Sequence, residues 1–148
     1  MALRLSNGLV TKLLGTGSLA TIMNGGFIRV FSGAQPLTPE GVETGALLAQ
    51  ISSTSGTVGL QFGTAGSGIL PKAATVWSGT CGTSGIAGYF RFYDANVFTG
   101  VDNAGTSCRF DGDIGTITGT LLLSNTNLVV GAPIIIDVAQ FTIPENQS

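Results

Sequence analysis

Along this chain the hydrophobic pattern rises twice into nearly the same phrase, Gly26-Phe27-Ile28-Arg29-Val30-Phe31 and Gly88-Tyr89-Phe90-Arg91-Phe92-Tyr93. Each is a glycine followed by five bulky residues with arginine in the middle, and runs of β-branched and aromatic residues of this length predict strands. Side chains alternate faces along a strand. Phe27, Arg29 and Phe31 therefore share one face, Ile28 and Val30 the other, and the second copy divides in the same way. Both faces are mostly apolar. A sheet with one wet face shows polar residues at every second position, so the second face of these strands must also be covered, by another sheet, a helix or a neighbouring subunit.

Helix signals are confined to the start of the chain. Ser6 offers a cap, residues 9, 10, 13 and 14 are apolar, and Gly15 ends the run, which predicts one short amphipathic helix. Ser18 caps a second turn over 19–23, before Asn24-Gly25-Gly26 breaks it, so residues 1–24 form a helical N-terminal segment. The stretch Gln35-Pro36-Leu37-Thr38-Pro39-Glu40 carries two prolines that lack donors and is excluded from a sheet interior. It reads as a long loop leading to a strand at 46–51. Further strands are expected at 58–62, 74–78, 87–94, 107–111, 117–123 and 133–143. In the last of these Ile134, Ile136 and Val138 have one parity and Phe141 and Ile143 the other, which predicts a bulge near Ala139. Residues 145–148 are a short polar tail that frays or docks on a partner. About eight short strands separated by turn signals predict a mainly β fold, a β-sandwich or jelly roll with a short N-terminal helix, as a single domain over 1–148.

Composition sharpens the question of what covers the strands. Six basic and eight acidic residues make 9% of the chain, against roughly 25% in ordinary soluble domains. Glycine is abundant at 23 residues and is interleaved with Thr and Ser at 63–68 and 79–85, which read as turns and loops. A membrane span needs about 18 uninterrupted apolar residues, and the best run, 128–136, is broken by Gly131 and Pro133. No membrane partner is expected. Ser6, Asn7, Gly8 and Thr11 interrupt any apolar signal-peptide core, so secretion by that route is not expected either. With a net charge of −2 and scattered basic residues there is no electrostatic stripe for a nucleic-acid backbone.

Catalysis is narrowed by subtraction. The chain has no histidine, which removes Ser-His and Cys-His nucleophile systems and the usual zinc ligands together. Asp111 with Asp113, or Glu40 with Glu43, are carboxylate pairs that sugar chemistry could use. Asp111 and Asp113 either share one strand face or splay around Gly112, and a charged hairpin turn is the preferred reading. Asp94, Asn96, Asp102 and Asn103 are oxygen-rich but lack the ordered spacing of an EF-hand loop, so turn chemistry is preferred to calcium. The run 63–68 lacks the Gly-Lys-Ser/Thr ending of a phosphate loop. Cys81 and Cys108 make no disulfide framework, and reduced, buried thiols are the expectation. No enzyme activity, cofactor or metal is expected. Arg29 and Arg91 each sit between rings, where a guanidinium stacks on an aromatic or binds a carboxylate across an interface. The alternative is an arginine at a sheet edge with its stem packed and its head in water.

The N-terminal Leu-Arg-Leu-Ser-Asn-Gly-Leu segment, Gly-Phe-Ile-Arg-Val-Phe-Ser-Gly-Ala-Gln-Pro, Glu43-Thr44-Gly45-Ala46-Leu47-Leu48-Ala49, Gly-Tyr-Phe-Arg-Phe-Tyr-Asp-Ala and Phe110-Asp111-Gly112-Asp113-Ile114-Gly115 stand in order along the chain. Together with Asn127-Leu128-Val129-Val130-Gly131-Ala132-Pro133 and the ending Phe141-Thr142-Ile143, this chain resembles small structural proteins encoded in the morphogenesis regions of tailed bacteriophages. The resemblance covers nearly its whole length. It implies a virion component assembled in the bacterial host cytoplasm, and a capsid decoration or cement protein in particular, with itself and the major capsid protein or another virion protein as partners. A tail, neck or baseplate component, or a carbohydrate-binding virion module, is the alternative.

Physical reasoning leads the same way. A charge-poor β chain with two apolar faces per strand must bury surface, and closed symmetry does so without forming fibres. A homotrimer is the working expectation. Phe27, Arg29, Phe31, Tyr89, Arg91 and Tyr93 are the candidate interface face, with Trp77 as an anchor because Trp, Tyr and Arg are enriched in interface hot spots. The competing expectation is that this face meets a second sheet. Leu9, Leu13 and Leu14 either cap an open end of the sandwich or dock on the shell, and capping is preferred.

Overall fold

The computed structural model describes residues 3–53, 58–136 and 138–142. In chain order the elements are β1 (Arg4–Leu5), α1 (Asn7–Gly15), α2 (Leu19–Met23), β2 (Phe27–Phe31), β3 (Leu47–Ser53), β4 (Leu70–Pro71), β5 (Trp77–Thr80), β6 (Gly85–Ile86), β7 (Tyr89–Tyr93), β8 (Arg109–Gly115), β9 (Leu121–Leu122), β10 (Asn127–Leu128), β11 (Pro133–Ile136) and β12 (Gln140–Phe141). The fold is mainly β. An eight-stranded sheet runs β1-β8-β7-β2-β3-β5-β11, with β9 parallel on β8, and two ribbons, β6–β10 and β4–β12, complete the pairing.

The two arginine phrases are neighbouring antiparallel strands at the centre of this sheet, with Arg29 opposite Arg91, Phe27 opposite Tyr93 and Phe31 opposite Tyr89. Register then sorts the sheet into two unlike faces. Gln50, Arg29, Arg91, Asp111 and Arg4 line up across five strands on one face. Ile51, Ile28, Phe92, Phe110 and Leu5 line up across the same strands on the other. The apolar face carries the core. Phe62, Trp77, Phe92, Phe110 and Phe141 interlock there, with Phe92 and Phe110 stacked at 5.0 Å and Phe110 edge-on to Phe141 at 5.3 Å. The covering layer comes from the β4–β12 ribbon through Leu70 and Phe141 and from the helices through Leu9, Leu19 and Met23, all buried in one cluster.

Local chemistry explains the N-terminal segment. Ser6 caps α1 by accepting from the Leu9 N–H, and Ser18 caps α2 by accepting from the Thr21 N–H. The Ser6 hydroxyl also donates to the Ser107 carbonyl at 2.8 Å and accepts from the Arg109 N–H at 3.1 Å, which seats the start of α1 on β8. Leu9 is fully buried, Leu13 packs partly on the core, and Leu14 is 85% exposed. The helix therefore caps the core through Leu9 and Leu13, while Leu14 points outward.

Several expected elements are shortened or displaced. The 58–62 strand is reduced to isolated bridges at Val58, Leu60 and Phe62, and the 74–78, 107–111 and 117–123 strands are realised as β5, β8 and β9. The 133–143 strand is cut in two. Ile134 and Ile136 are buried in β11, then Ala139 and Phe141 are buried and Val138 is exposed, because the chain leaves β5 and pairs with β4. The parity change is thus achieved by changing sheets. Ile143 and the 145–148 tail lie outside the described residues. Asp111-Gly112-Asp113 is not a turn but the middle of β8, with both carboxylates on one face and Gly112 opposite Phe90 on the other. A Cβ at Gly112 would stand 2.5 Å from the Phe90 ring, so only glycine lets that ring lie flat across the strand.

Leu9→Ala is expected to cost about 2–5 kcal/mol, since a buried leucine leaves a cavity, whereas Leu14→Ala should change stability by less than about 0.5 kcal/mol. Urea unfolding followed by Trp77 fluorescence reads both, and equal effects would contradict the capping role of α1.

Candidate functional site

The polar face of the sheet is covered by the chain's own loops. The 32–46 connection joins β2 to β3 and the 94–108 connection joins β7 to β8, and each pair of strands is adjacent and antiparallel. Because β2 and β7 run oppositely, these loops leave from opposite ends of the sheet and meet over its middle. What holds them there is a pair of arginines.

Arg91, on β7, is fully buried and grips Asp111 of β8 with two donors, Nε to Oδ1 at 2.5 Å and Nη2 to Oδ2 at 2.8 Å. Its third nitrogen donates to the Gly41 carbonyl at 2.8 Å and to Glu43 Oε1 at 3.2 Å. Arg109, on β8 and also fully buried, spends its donors on backbone: the carbonyls of Pro39 at 2.6 Å, Phe98 at 2.8 Å and Gly100 at 2.7 Å. It thereby touches both loops. Glu43 closes the arrangement, accepting from the Tyr93 hydroxyl at 2.7 Å and the Gly100 N–H at 2.9 Å, with Arg109 Nη1 at 3.7 Å. The Asp102 N–H donates to the Glu40 carbonyl, a direct tie from loop to loop. The fork of a guanidinium suits this task, since its donors lie in one plane and keep their charge when buried.

Electrostatics follows from the burial. Burial pushes the Arg91 guanidinium toward losing its proton, but the Asp111 carboxylate outweighs it and holds the group well above its ordinary value. Burial pushes the Asp111 carboxyl up, with Arg91 working against that shift. Burial and the neighbouring Glu43 carboxylate both push the Tyr93 phenol up, so its proton is held and donated to Glu43. Arg109 is shifted down by burial and by the adjacent Arg91 charge. Two guanidiniums and two carboxylates balance in charge.

Of the expected interface residues, Trp77, Tyr89, Arg91 and Tyr93 are fully buried and Phe31 nearly so. As contact surface for another subunit these five are therefore corrected. Trp77 lies in the aromatic core on the opposite side of the sheet, stacked with Phe141 at 6.4 Å. Phe31 stacks on Tyr89 at 5.2 Å, and the Tyr89 hydroxyl accepts from the Thr44 N–H at 2.9 Å, pinning the end of the 32–46 loop. Phe27 and Arg29 are half-buried; Arg29 donates to Gln50 Oε1 at 2.9 Å and lies 5.5 Å over the Tyr93 ring. The face is met by two loops of its own chain rather than by a second sheet. Arg91 does bind a carboxylate, as its type allows, within its own chain.

The other acidic residues are occupied in turns. Asp94 accepts from the Asn96 N–H at 3.0 Å, and Asp102 accepts from the Gly105 and Ser107 N–H groups and the Ser107 hydroxyl. Among the described residues no group of three Asp, Glu or Cys side chains is placed to hold a metal ion. Cys81 and Cys108 are free and buried, as expected. Arg109 was not singled out by pattern alone, although Arg109-x-Asp111-x-Asp113 alternates with the strand period and is the signal that marks it. No protein-family model, no curated protein and no solved structure matches the chain.

Arg91→Ala is expected to destabilise the folded chain by about 3–5 kcal/mol, because it strands Asp111 as a buried unpaired charge. Arg91→Met combined with Asp111→Leu should cost clearly less than the single change. Thermal melts of the three proteins test this, and a double variant as unstable as the sum of its parts would mean the pair is not coupled.

Proposed function

We propose that this chain is a structural protein of an assembly, working through apolar protein-protein contact rather than catalysis, and that the assembly is the virion of a tailed bacteriophage. The observation that supports assembly is the exchange of charge for apolar surface. Among the described residues Lys12 is the one charged side chain that stands well out in solvent, while fifteen large apolar side chains do so. The charges have gone inward: Arg4, Arg29, Arg91, Arg109, Asp111 and Asp113 all belong to one covered sheet face. Exposed apolar side chains mark an interaction surface where they gather in one patch.

With the arginine and aromatic face committed internally, contact falls to the outside of the loop layer, at Leu37, Val42, Phe98 and Val101, and to Leu14 and Ile117. The two loops meet beneath this surface, since Arg109 binds the carbonyls of Gly41 and Phe98 together. The virion setting and the finer reading, a capsid decoration or cement protein acting as a closed trimer, rest on the resemblance to phage morphogenesis proteins. The sugar-binding alternative loses its platform, because Trp77, Tyr89 and Tyr93 are buried.

Quantitative mass spectrometry of purified particles against the major shell protein tests the reading. A ratio near that of the shell protein is expected for decoration, a few copies would place the chain in tail or neck, and absence from particles would overturn the virion reading. Sedimentation equilibrium of the purified chain is expected to give a trimer mass; a monomer at high concentration would remove self-association.

A further inference from the structure

The two loops over the polar face converge on one side chain. Glu43, in the 32–46 loop, accepts from the Gly100 N–H of the 94–108 loop at 2.9 Å and from the Tyr93 hydroxyl at 2.7 Å, and pairs with Arg91 at 3.2 Å and Arg109 at 3.7 Å. The charged and titratable groups around it are Arg91 and Tyr93 from β7 and Arg109 and Asp111 from β8. Arg29 of β2 lies over the Tyr93 ring. Asp111 is already engaged by two Arg91 donors. Without the Glu43 charge, two buried guanidiniums would face one carboxylate, and Arg109 would keep only carbonyl partners.

A buried charge that loses its counter-charge is relieved by reaching water. Here the route to water is through the loops, because the aromatic core lies on the other side of the sheet and shares none of these contacts. Irregular segments held by a few polar contacts open at lower cost than a packed core. We propose that Glu43 is an acid-operated latch: protonation of its carboxylate releases the 32–46 and 94–108 loops and exposes Arg91 and Arg109, while the sheet and aromatic core stay folded. The inference is independent of the assembly reading.

The direction follows from the contacts. Burial pushes the Glu43 carboxyl up, but the Tyr93 hydroxyl, the backbone N–H groups of Glu43 and Gly100 and the Arg91 charge outweigh it and hold the group below its ordinary 4.5. A depressed carboxylate contributes stability above its unfolded value and loses it as pH falls through the folded value. The latch is therefore closed at neutral pH and opens as pH falls through a folded value that lies below the ordinary one. Asp102, held low mainly by the Ser107 hydroxyl, braces the 94–108 loop in the same acid range, so acid alone does not isolate Glu43.

Glu43→Gln at neutral pH does isolate it. Hydrogen exchange read by mass spectrometry at pH 7 is expected to show peptides from 38–44 and 95–107 exchanging at least about tenfold faster than in the native chain, with β5 unchanged. The native chain should show the same selective acceleration on titration from pH 7 down to about pH 2.5, through the lowered Glu43 range, after correction for intrinsic exchange and with the near-ultraviolet circular dichroism of Trp77 retained. Loop exchange at native rates in the variant would overturn the latch, as would equal acceleration in β5. If the variant fails to fold, the native titration decides, and uniform acceleration there overturns the proposal.

Discussion

Two guanidiniums lie buried inside this protein, and most of its architecture is the means of keeping them supplied with acceptors. Arg91 and Arg109 are fully buried, and a charged group in that position must find partners or forfeit several kcal/mol. Asp111 supplies one set from the adjacent strand. The remainder come from the carbonyls of Pro39, Gly41, Phe98 and Gly100 and from Glu43, all on loops. The loops are irregular in dihedral terms yet fixed, because their carbonyls are the acceptors that fixed, planar donors require.

This arrangement accounts for the low surface charge. A β chain of this size ordinarily solvates one face of its sheet with charged side chains. Here the polar face is roofed over, the buried charges of Arg91, Arg109, Asp111 and Glu43 balance, and the roof presents Leu37, Val42, Phe98 and Val101 to the outside. The sheet is therefore covered on both faces by its own chain: by an aromatic cluster, a ribbon and two helices on one side and by two loops on the other. What remains apolar is the outer skin, and that is the physical basis for reading the molecule as a member of an assembly.

Packing on the apolar side imposes its own constraints. The Phe90 ring crosses β8 where Gly112 has no side chain, and the start of α1 approaches the 94–108 loop so closely that a Cβ at Gly8 would stand 2.5 Å from the Ser107 carbonyl. The Ser6 hydroxyl, with three hydrogen bonds, joins the helix cap to β8 directly beside Arg109. The core on one face and the arginine–carboxylate group on the other are thus coupled through one short stretch of β8, whose residues alternate between the two.

Periodicity and capping chemistry are local, and they were readable from the chain alone: the mainly β class, the two arginine strands, both capped helices, the proline loop and a parity change near Ala139. The need to cover both faces of the strands was equally plain, because alternation leaves no wet side. What covers them was decided only in three dimensions. Register placed Arg91 opposite Asp111 and Arg29 opposite Arg91, and no pattern in the chain states which strand lies beside which. Nor does a pattern show that 32–46 and 94–108, far apart in sequence, close over one guanidinium, because an acceptor made of backbone carbonyls leaves no mark on side-chain identity. Local sequence chose the strands; the pairing of distant segments turned an expected outer face into the inside of the molecule.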